Sequence, residues 1–333
     1  MIEVGKYAGV SAQTVSRFFN GGYVAGETSE RIRKAVDELG YRRNRLPVQM
    51  KSDHTDMLGL ISLGPYNYGA TSILTGVGRA ARREKQALVI EQLEPEMVDG
   101  KADLIPAQKA IDHFLAMRVD GILLSSPFFG IEDLIDYVRG EVPVVVISDA
   151  LEPDEMTEQS SSYAASRLAV RHLIELGHTQ ILHVGGPVGR IETMTRSAAY
   201  LDEMTDQQLE PLPIISGEEW DADSGAKCGK TVSPESFTAV FAANDELALG
   251  FSSELRLRGY LVPEDFSIIG FDDMPEARYF YPPLTTIRVD FEMFGERTVA
   301  QILSTIRGEE HDSGLQPTKT ELIVRTSTAR RNF

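Results

Sequence analysis

The chain has 333 residues, 42 % hydrophobic and 25 % charged, which is too long for one ordinary domain and balanced like a globular protein. No apolar run nears the roughly 18 residues of a membrane span, Met1–Lys6 shows no export signal, and a lone cysteine, Cys228, excludes an internal disulfide framework, so a cytoplasmic address is expected. The net charge of −17 argues against nucleic acid only until it is divided: residues 1–54 carry nine basic and six acidic side chains, leaving a head of +3 on a remainder of −20. A phosphate backbone attracts the first and repels the second.

In the head, Gly9 suits a tight turn after a short first helix. Ser11 is placed to cap the next helix. On that helix Val15, Phe18 and Phe19 share one face, while Gln13 and Arg17, four apart, share the opposite one. Glutamine and arginine read adenine and guanine edges with paired hydrogen bonds, and Ser11, Thr14 and Ser16 suit phosphate contacts. A third helix is predicted over Thr28–Leu39, ending at Gly40. The head is assigned to residues 1–46 and a hinge to residues 47–56.

Beyond residue 56, short β-rich runs alternate with amphipathic stretches. Strands are predicted at Met57–Leu63, Ala87–Ile90, Gly121–Ser125, Val142–Ser148, Gln180–Val184, Ala239–Ala242 and Phe266–Gly270. Helices are predicted at Ser72–Glu84, Ala107–Met117, Ile131–Arg139, Tyr163–Leu176, Ile191–Met204 and Asp245–Leu257. This alternation means an α/β fold with parallel sheets and right-handed crossovers. There are too many units for one open sheet, so two doubly wound lobes with a cleft between them are expected, with a break near Leu151–Asp154. Lobe 1 is assigned to 57–150, completed by about 290–318, and lobe 2 to 151–289, completed by about 319–327.

Ligands of such folds bind at the carboxyl ends of the strands. Asp149, Asn244-Asp245 and Asp272-Asp273 stand at such ends. Each alone is equally readable as the cap of the next helix, and Asp245 is assigned mainly to capping. Together they look like a polyol site, in which carboxylates, an amide and a guanidinium meet hydroxyls and aromatic faces cover the sugar ring.

Ala8–Ser11, Thr14–Arg17 and Asn20-Gly21, followed by Tyr41-Arg42-Arg43-Asn44, strongly resemble the lactose-repressor family of bacterial transcription factors. The resemblance runs through essentially the whole chain. It implies a helix-turn-helix head ahead of a body like the periplasmic binding proteins; no cofactor is expected, and the six histidines show no metal-ligand spacing. By the match, Ala12, Gln13 and Arg17 read bases, with Ser11, Thr14, Ser16 and Asn20 in the same DNA-binding set. Met50 takes the place of the leucine that family hinges wedge into the minor groove, and Pro47 falls in the first turn of that hinge if Asn44 is its cap. Matched one by one, Asp149, Arg196, Trp220, Asn244, Asp272 and Phe291 fall on effector-pocket positions, a set most like that of galactoside-responsive members. The tract Tyr281–Ile287 is a family hallmark read as structural. The expected partners are therefore operator DNA, a sugar effector and a second copy of the chain. The carboxyl end, Thr326–Phe333, lacks leucine heptads for a tetramerising coil.

Two other classes compete. A transport-type solute-binding protein shares the two lobes but calls for an export signal and no head. An enzyme needs a reacting constellation, and Asp272-Asp273, as neighbours at a strand end, point apart with no nucleophile–base pair beside them. Gly64-Pro65-Tyr66-Asn67 lacks the spacing of a phosphate loop.

Overall fold

A computed structural model describes residues 1–42, 54–98, 101–128, 130–148, 160–309 and 318–331. The chain divides into two compact units, Met1–Thr55 and Asp56–Phe333.

The first unit holds three helices, α1 (Ile2–Ala8), α2 (Ala12–Phe19) and α3 (Gly26–Glu38). Gly9 takes φ 66° and ends α1 in a left-handed cap. The turn then folds back so closely that a side chain at Gly5 would sit 2.8 Å from the Val10 carbonyl oxygen. Ser11 caps α2 through a hydrogen bond from the Thr14 amide at 3.1 Å. Val4, Ala8, Val15, Ile32 and Ala35 are buried at the centre, with Phe18 and Phe19 packed against them. The third helix starts two residues earlier than its sequence suggests, because Gly26 and Glu27 join its first turn, where a carboxylate faces the positive end of the helix dipole. Residues 47–53 of the hinge, with Pro47 and Met50, lie outside the described residues, as does the end of the head from residue 43.

The second unit is α/β in two lobes. Lobe 1 carries the parallel sheet β2-β1-β5-β6, formed by β1 (Met57–Leu63), β2 (Ala87–Leu93), β5 (Gly121–Ser125) and β6 (Val144–Ile147). A small antiparallel pair, β3 (Met97–Val98) and β4 (Lys101–Ala102), precedes β5. Helices α5 (Ile105–Ala116) and α6 (Glu132–Val138) cover one face through Phe114, Ile111 and Leu134. On the other face α4 (Tyr68–Arg83) buries Val77 and Ala80 against Leu58, Leu60 and Leu123. Both faces are covered, which is why these strands read as continuous apolar runs rather than alternating ones.

Lobe 2 carries the sheet β12-β11-β10-β9-β7-β8, parallel except for its last-formed edge. Its strands are β7 (Ile181–Gly185), β8 (Ile215–Ser216), β9 (Ala239–Ala242), β10 (Ser267–Asp272), β11 (Thr285–Val289) and β12 (Thr320–Ile323). Helices α7 (Ser161–Glu175) and α8 (Ile191–Asp206) pack on one face; α9 (Ala222–Thr231) and α10 (Asp245–Leu257) pack on the other. Gly177 and Gly259, at φ 92° and 94°, close α7 and α10 in left-handed turns.

After β11 the chain returns to lobe 1 as α11 (Phe291–Arg307). There α11 lies backbone to backbone against α4: a side chain at Gly76 would meet the Glu292 carbonyl oxygen at 2.0 Å, and one at Gly295 would meet that of Ile73 at 2.2 Å. Val299, Ile302 and Leu303 of α11 complete the lobe-1 core. The chain then crosses again, and β12 adds antiparallel to β11 in lobe 2. The first crossing, residues 149–159, and the stretch 310–317 lie outside the described residues.

Candidate functional site

Two surfaces carry the chemistry, one on each unit. On the head, Ala12, Gln13 and Arg17 are exposed along α2, with Ser11 and Asn20 exposed at its ends and Thr14 and Ser16 half-buried. The Arg17 stem lies over the backbone of Gly22, where a side chain would come within 2.6 Å of its Cγ, so the arginine leaves the helix in a defined direction. The Ser11 and Thr14 hydroxyls pair at 2.9 Å, and Ser16 accepts from Asn20 Nδ2 at 3.4 Å. One proton of the Ser11–Thr14 pair and the Ser16 proton remain available for an external oxygen. A face presenting one amide, one guanidinium and short hydroxyls suits a groove floor flanked by phosphates.

In the body, a cleft is lined from both lobes by the carboxyl ends of β1, β5, β6 and β10 together with residues of α4, α8 and α11. Arg196, Trp220, Asn244, Asp272 and Phe291 all line it. Asp149 lies outside the described residues.

Arg196 on α8 is 5 % exposed. Its guanidinium carbon stands 4.0 Å from the Phe271 ring centre and 5.4 Å from that of Trp220. One amino group donates to the Ala243 carbonyl, another lies 3.7 Å from Asp272 Oδ1, and Nε is buried without a hydrogen-bond partner. Asp272, at the end of β10, is 7 % exposed, and its Oδ1 also accepts no hydrogen bond. Burial pushes its carboxyl up to about 7; Arg196 pulls the other way, while Glu246 and Glu192 add to the rise. Two neighbouring side chains of the cleft wall thus each keep one unmet hydrogen-bonding atom, a demand of the kind that a hydroxyl group can answer.

The aromatic members line the same cleft. Trp220 packs flat against Gly186, where a side chain would approach its ring to 2.3 Å. Phe291, the first residue of α11, meets Tyr68 edge-on at 6.4 Å. Asn244 lines the cleft with both ends of its amide engaged: Oδ1 caps α10 by accepting from the Leu247 amide at 2.8 Å, and Nδ2 donates to the Trp220 carbonyl at 3.0 Å.

Asp245 corrects its assignment as a cap. Its carboxyl is buried behind the cleft wall, accepting from Thr286 Oγ1 at 2.5 Å and the Met274 amide at 2.8 Å. Asn244 holds the cap because its backbone is extended, whereas Asp245 is already the first helical residue.

Several cleft residues escaped the sequence reading. Asn67 caps α4 by accepting from the Ala70 amide at 2.9 Å. Arg190 lies 4.2 Å over the Phe128 ring, and Ser125, Ser126, Ser148, Ser161 and Ser162 supply hydroxyls. The serines at strand ends were findable by the same rule that singled out Asp149; Arg190 carried no such signal. Among the described residues no three histidine, cysteine or acidic groups converge as a metal site, and no helix is long and apolar enough to cross a membrane.

Residues 1–44 match the family described as bacterial regulatory proteins, lacI family, and residues 170–328 match the periplasmic binding protein-like domain. The lactose operon repressor of Escherichia coli (strain K12) is 28 % identical over 336 residues, covering 100 % of this chain and 91 % of its own. The HTH-type transcriptional repressor PurR of Vibrio parahaemolyticus is 29 % identical over 345 residues, covering 99 % and 98 %. Among solved structures, the lac repressor dimer bound to operator and the anti-inducer ONPF superposes with a TM-score of 0.85 at 28 % identity, over 99 % of each chain.

Proposed function

This chain belongs to the lacI family of bacterial regulatory proteins, whose members repress transcription through a helix-turn-helix head in response to a ligand, and from that premise we propose that its ligand is a sugar of galactoside type that releases it from operator DNA. The carrying observation is the pair of unmet polar atoms, Arg196 Nε and Asp272 Oδ1, on side chains that line the same cleft as Trp220 and Phe291. Hydroxyl-rich, uncharged ligands with an apolar ring face match that arrangement.

On this reading a homodimer sets one α2 in each half-site of a near-palindromic operator. Ala12, Gln13 and Arg17 read base edges, Ser11, Thr14, Ser16 and Asn20 fix the register, and Met50 wedges the minor groove at the centre. Asp149, Arg196, Trp220, Asn244, Asp272 and Phe291 hold the effector. The sugar shifts operator affinity only through its preference for one of two body conformations, on the usual scale of roughly 1–3 kcal/mol. The dimeric lac repressor on its operator supports this scheme by likeness. The protein acts where its DNA is, in the cytoplasm.

A thermal-shift panel of sugars, sugar phosphates and nucleobases, followed by operator binding with every hit, tests the proposal. A galactoside should raise the body's melting temperature and weaken operator binding. A response confined to nucleobases, or a sugar that binds without changing operator affinity, would sink it.

A further inference from the structure

Asp272 and Asp273 are consecutive non-glycine residues with left-handed backbones, φ 110° and 52°. Such a pair is strained and persists only where its surroundings impose it. The constraint comes from the Asp273 side. Its buried carboxylate accepts from Arg288 Nε at 2.7 Å with one oxygen and from an Arg325 amino group at 2.5 Å with the other. Arg325 is itself anchored, donating to the Leu284 carbonyl at 2.7 Å and from its backbone amide to Thr285 Oγ1 at 3.0 Å. Directly after the turn, the Met274 amide is held by Asp245 at 2.8 Å. A carboxylate buried between two arginines adds little net stability over apolar packing of the same volume; what it fixes is geometry.

We propose that Asp273, Arg288 and Arg325 form a positioning unit for the effector cleft, holding the β10 turn left-handed so that the Asp272 carboxyl is presented to ligand without a partner of its own. The inference rests on reading the cleft as a ligand site. It also gives the site a mechanical connection. Arg288 lies on β11, three residues before Phe291 opens α11, and Arg325 follows β12. The ligand-facing turn is therefore tied to the strands that flank both carboxyl-terminal passages between the lobes.

The test uses the full chain and its single tryptophan, Trp220, which lies beside the Arg196 guanidinium facing Asp272. Without ligand, ionisation of Asp272 changes the charge next to that guanidinium, so Trp220 emission should titrate with a midpoint near about 7, and Asp272→Asn should abolish the transition. Glu246 and Glu192 also act on Asp272, and Asp245 lies behind it, so the Asp272→Asn control assigns the transition. In Arg325→Met the released turn lets Asp272 reach water, and the midpoint should fall by about half a unit or more. Arg325→Lys, which keeps a cation, should lie between the two and covers the case in which Arg325→Met does not fold. Methyl β-galactoside, titrated by the same emission, should bind at least about tenfold more weakly to Arg325→Met, a loss of roughly 1.4 kcal/mol. The proposal is overturned if wild type shows no transition that Asp272→Asn removes, or if the folded arginine variants keep the wild-type midpoint. If emission follows pH as expected but responds to no sugar, the sugar reading fails while the positioning role stands.

Discussion

Replacing Asp272 by asparagine should stabilise the protein while impairing its response. Asparagine has nearly the shape of aspartate and tolerates a left-handed backbone, so the change removes a charge and leaves the turn. Burial carries the Asp272 carboxyl from 3.8 to about 7. Roughly three units at about 1.4 kcal/mol each make an upper figure of ~4 kcal/mol. The folded carboxyl holds its proton more tightly than the unfolded chain. Below the unfolded value both states are protonated and stability is intact; between 3.8 and about 7 the unfolded chain ionises first and stability falls; above about 7 the whole penalty stays. Asp245, raised by burial first and by the Asp272 charge second, adds a penalty of the same sign, of which the substitution relieves only the part due to the Asp272 charge. The amide keeps some unmet hydrogen bonding, which takes back about 1–3 kcal/mol. That cost applies at every pH while the charge penalty does not, so the melting temperature should be unchanged or a few degrees lower at pH 4 and a few degrees higher at pH 8, since 1 kcal/mol moves a domain of this size by roughly 2–4 °C. Calorimetry across that range, with operator release by sugar on the same samples, is the assay. An equal gain at both ends of the range, or a destabilised variant at pH 8, would refute the assignment of a strained, high-pKa carboxyl at this position.

Arg17→Ala should weaken operator binding at least about tenfold and relax base preference at one position, which a gel-shift series over single-base operator variants reads directly. Ser11→Ala removes the cap from the Thr14 amide and should cost about 1 kcal/mol, seen as faster amide hydrogen exchange along α2. Gly250→Ala should cost ~3 kcal/mol in urea unfolding, because its Cβ would lie 1.7 Å from the Ala222 carbonyl oxygen and force α9 and α10 apart.

Where periodicity is strong, the fold was legible. Met57–Leu63, Gly121–Ser125, Ala239–Ala242 and Asp245–Leu257 have the same bounds in the sequence reading and in the structure. The helix Ala222–Thr231 was missed for a physical reason. Its sequence, Ala-Asp-Ser-Gly-Ala-Lys-Cys-Gly-Lys-Thr, has low helix propensity and little apolar stripe. It is helical because it packs backbone to backbone on α10: a side chain at Gly225 would meet the Leu247 carbonyl oxygen at 2.3 Å. Tertiary contact overrides propensity there, and only glycines four apart, Gly225 and Gly229, hint at it. The short strand Ile215–Ser216 is too brief for any period to register.

The cleft shows why a strand-end residue cannot be sorted into cap or ligand by position alone. Asn244 caps and holds Trp220 with opposite ends of one amide, and Asp245 does neither, its partners being Thr286 and Met274. Those partners lie 41 and 29 residues away in sequence, and nothing local encodes them. What separates Asp272 from the other buried carboxylates is the lack of donors. Glu203 sits between Arg167 and Arg171 at 2.7 and 2.8 Å, and Asp273 between Arg288 and Arg325. Asp272 has a guanidinium at 3.7 Å, outside hydrogen-bond reach, and a left-handed backbone besides. The same chain that satisfies Asp273 with two arginines leaves its neighbour unsatisfied one residue away. A fold selected for stability alone would have moved either the charge or the strain, so the unmet oxygen is the strongest structural reason to place the ligand there.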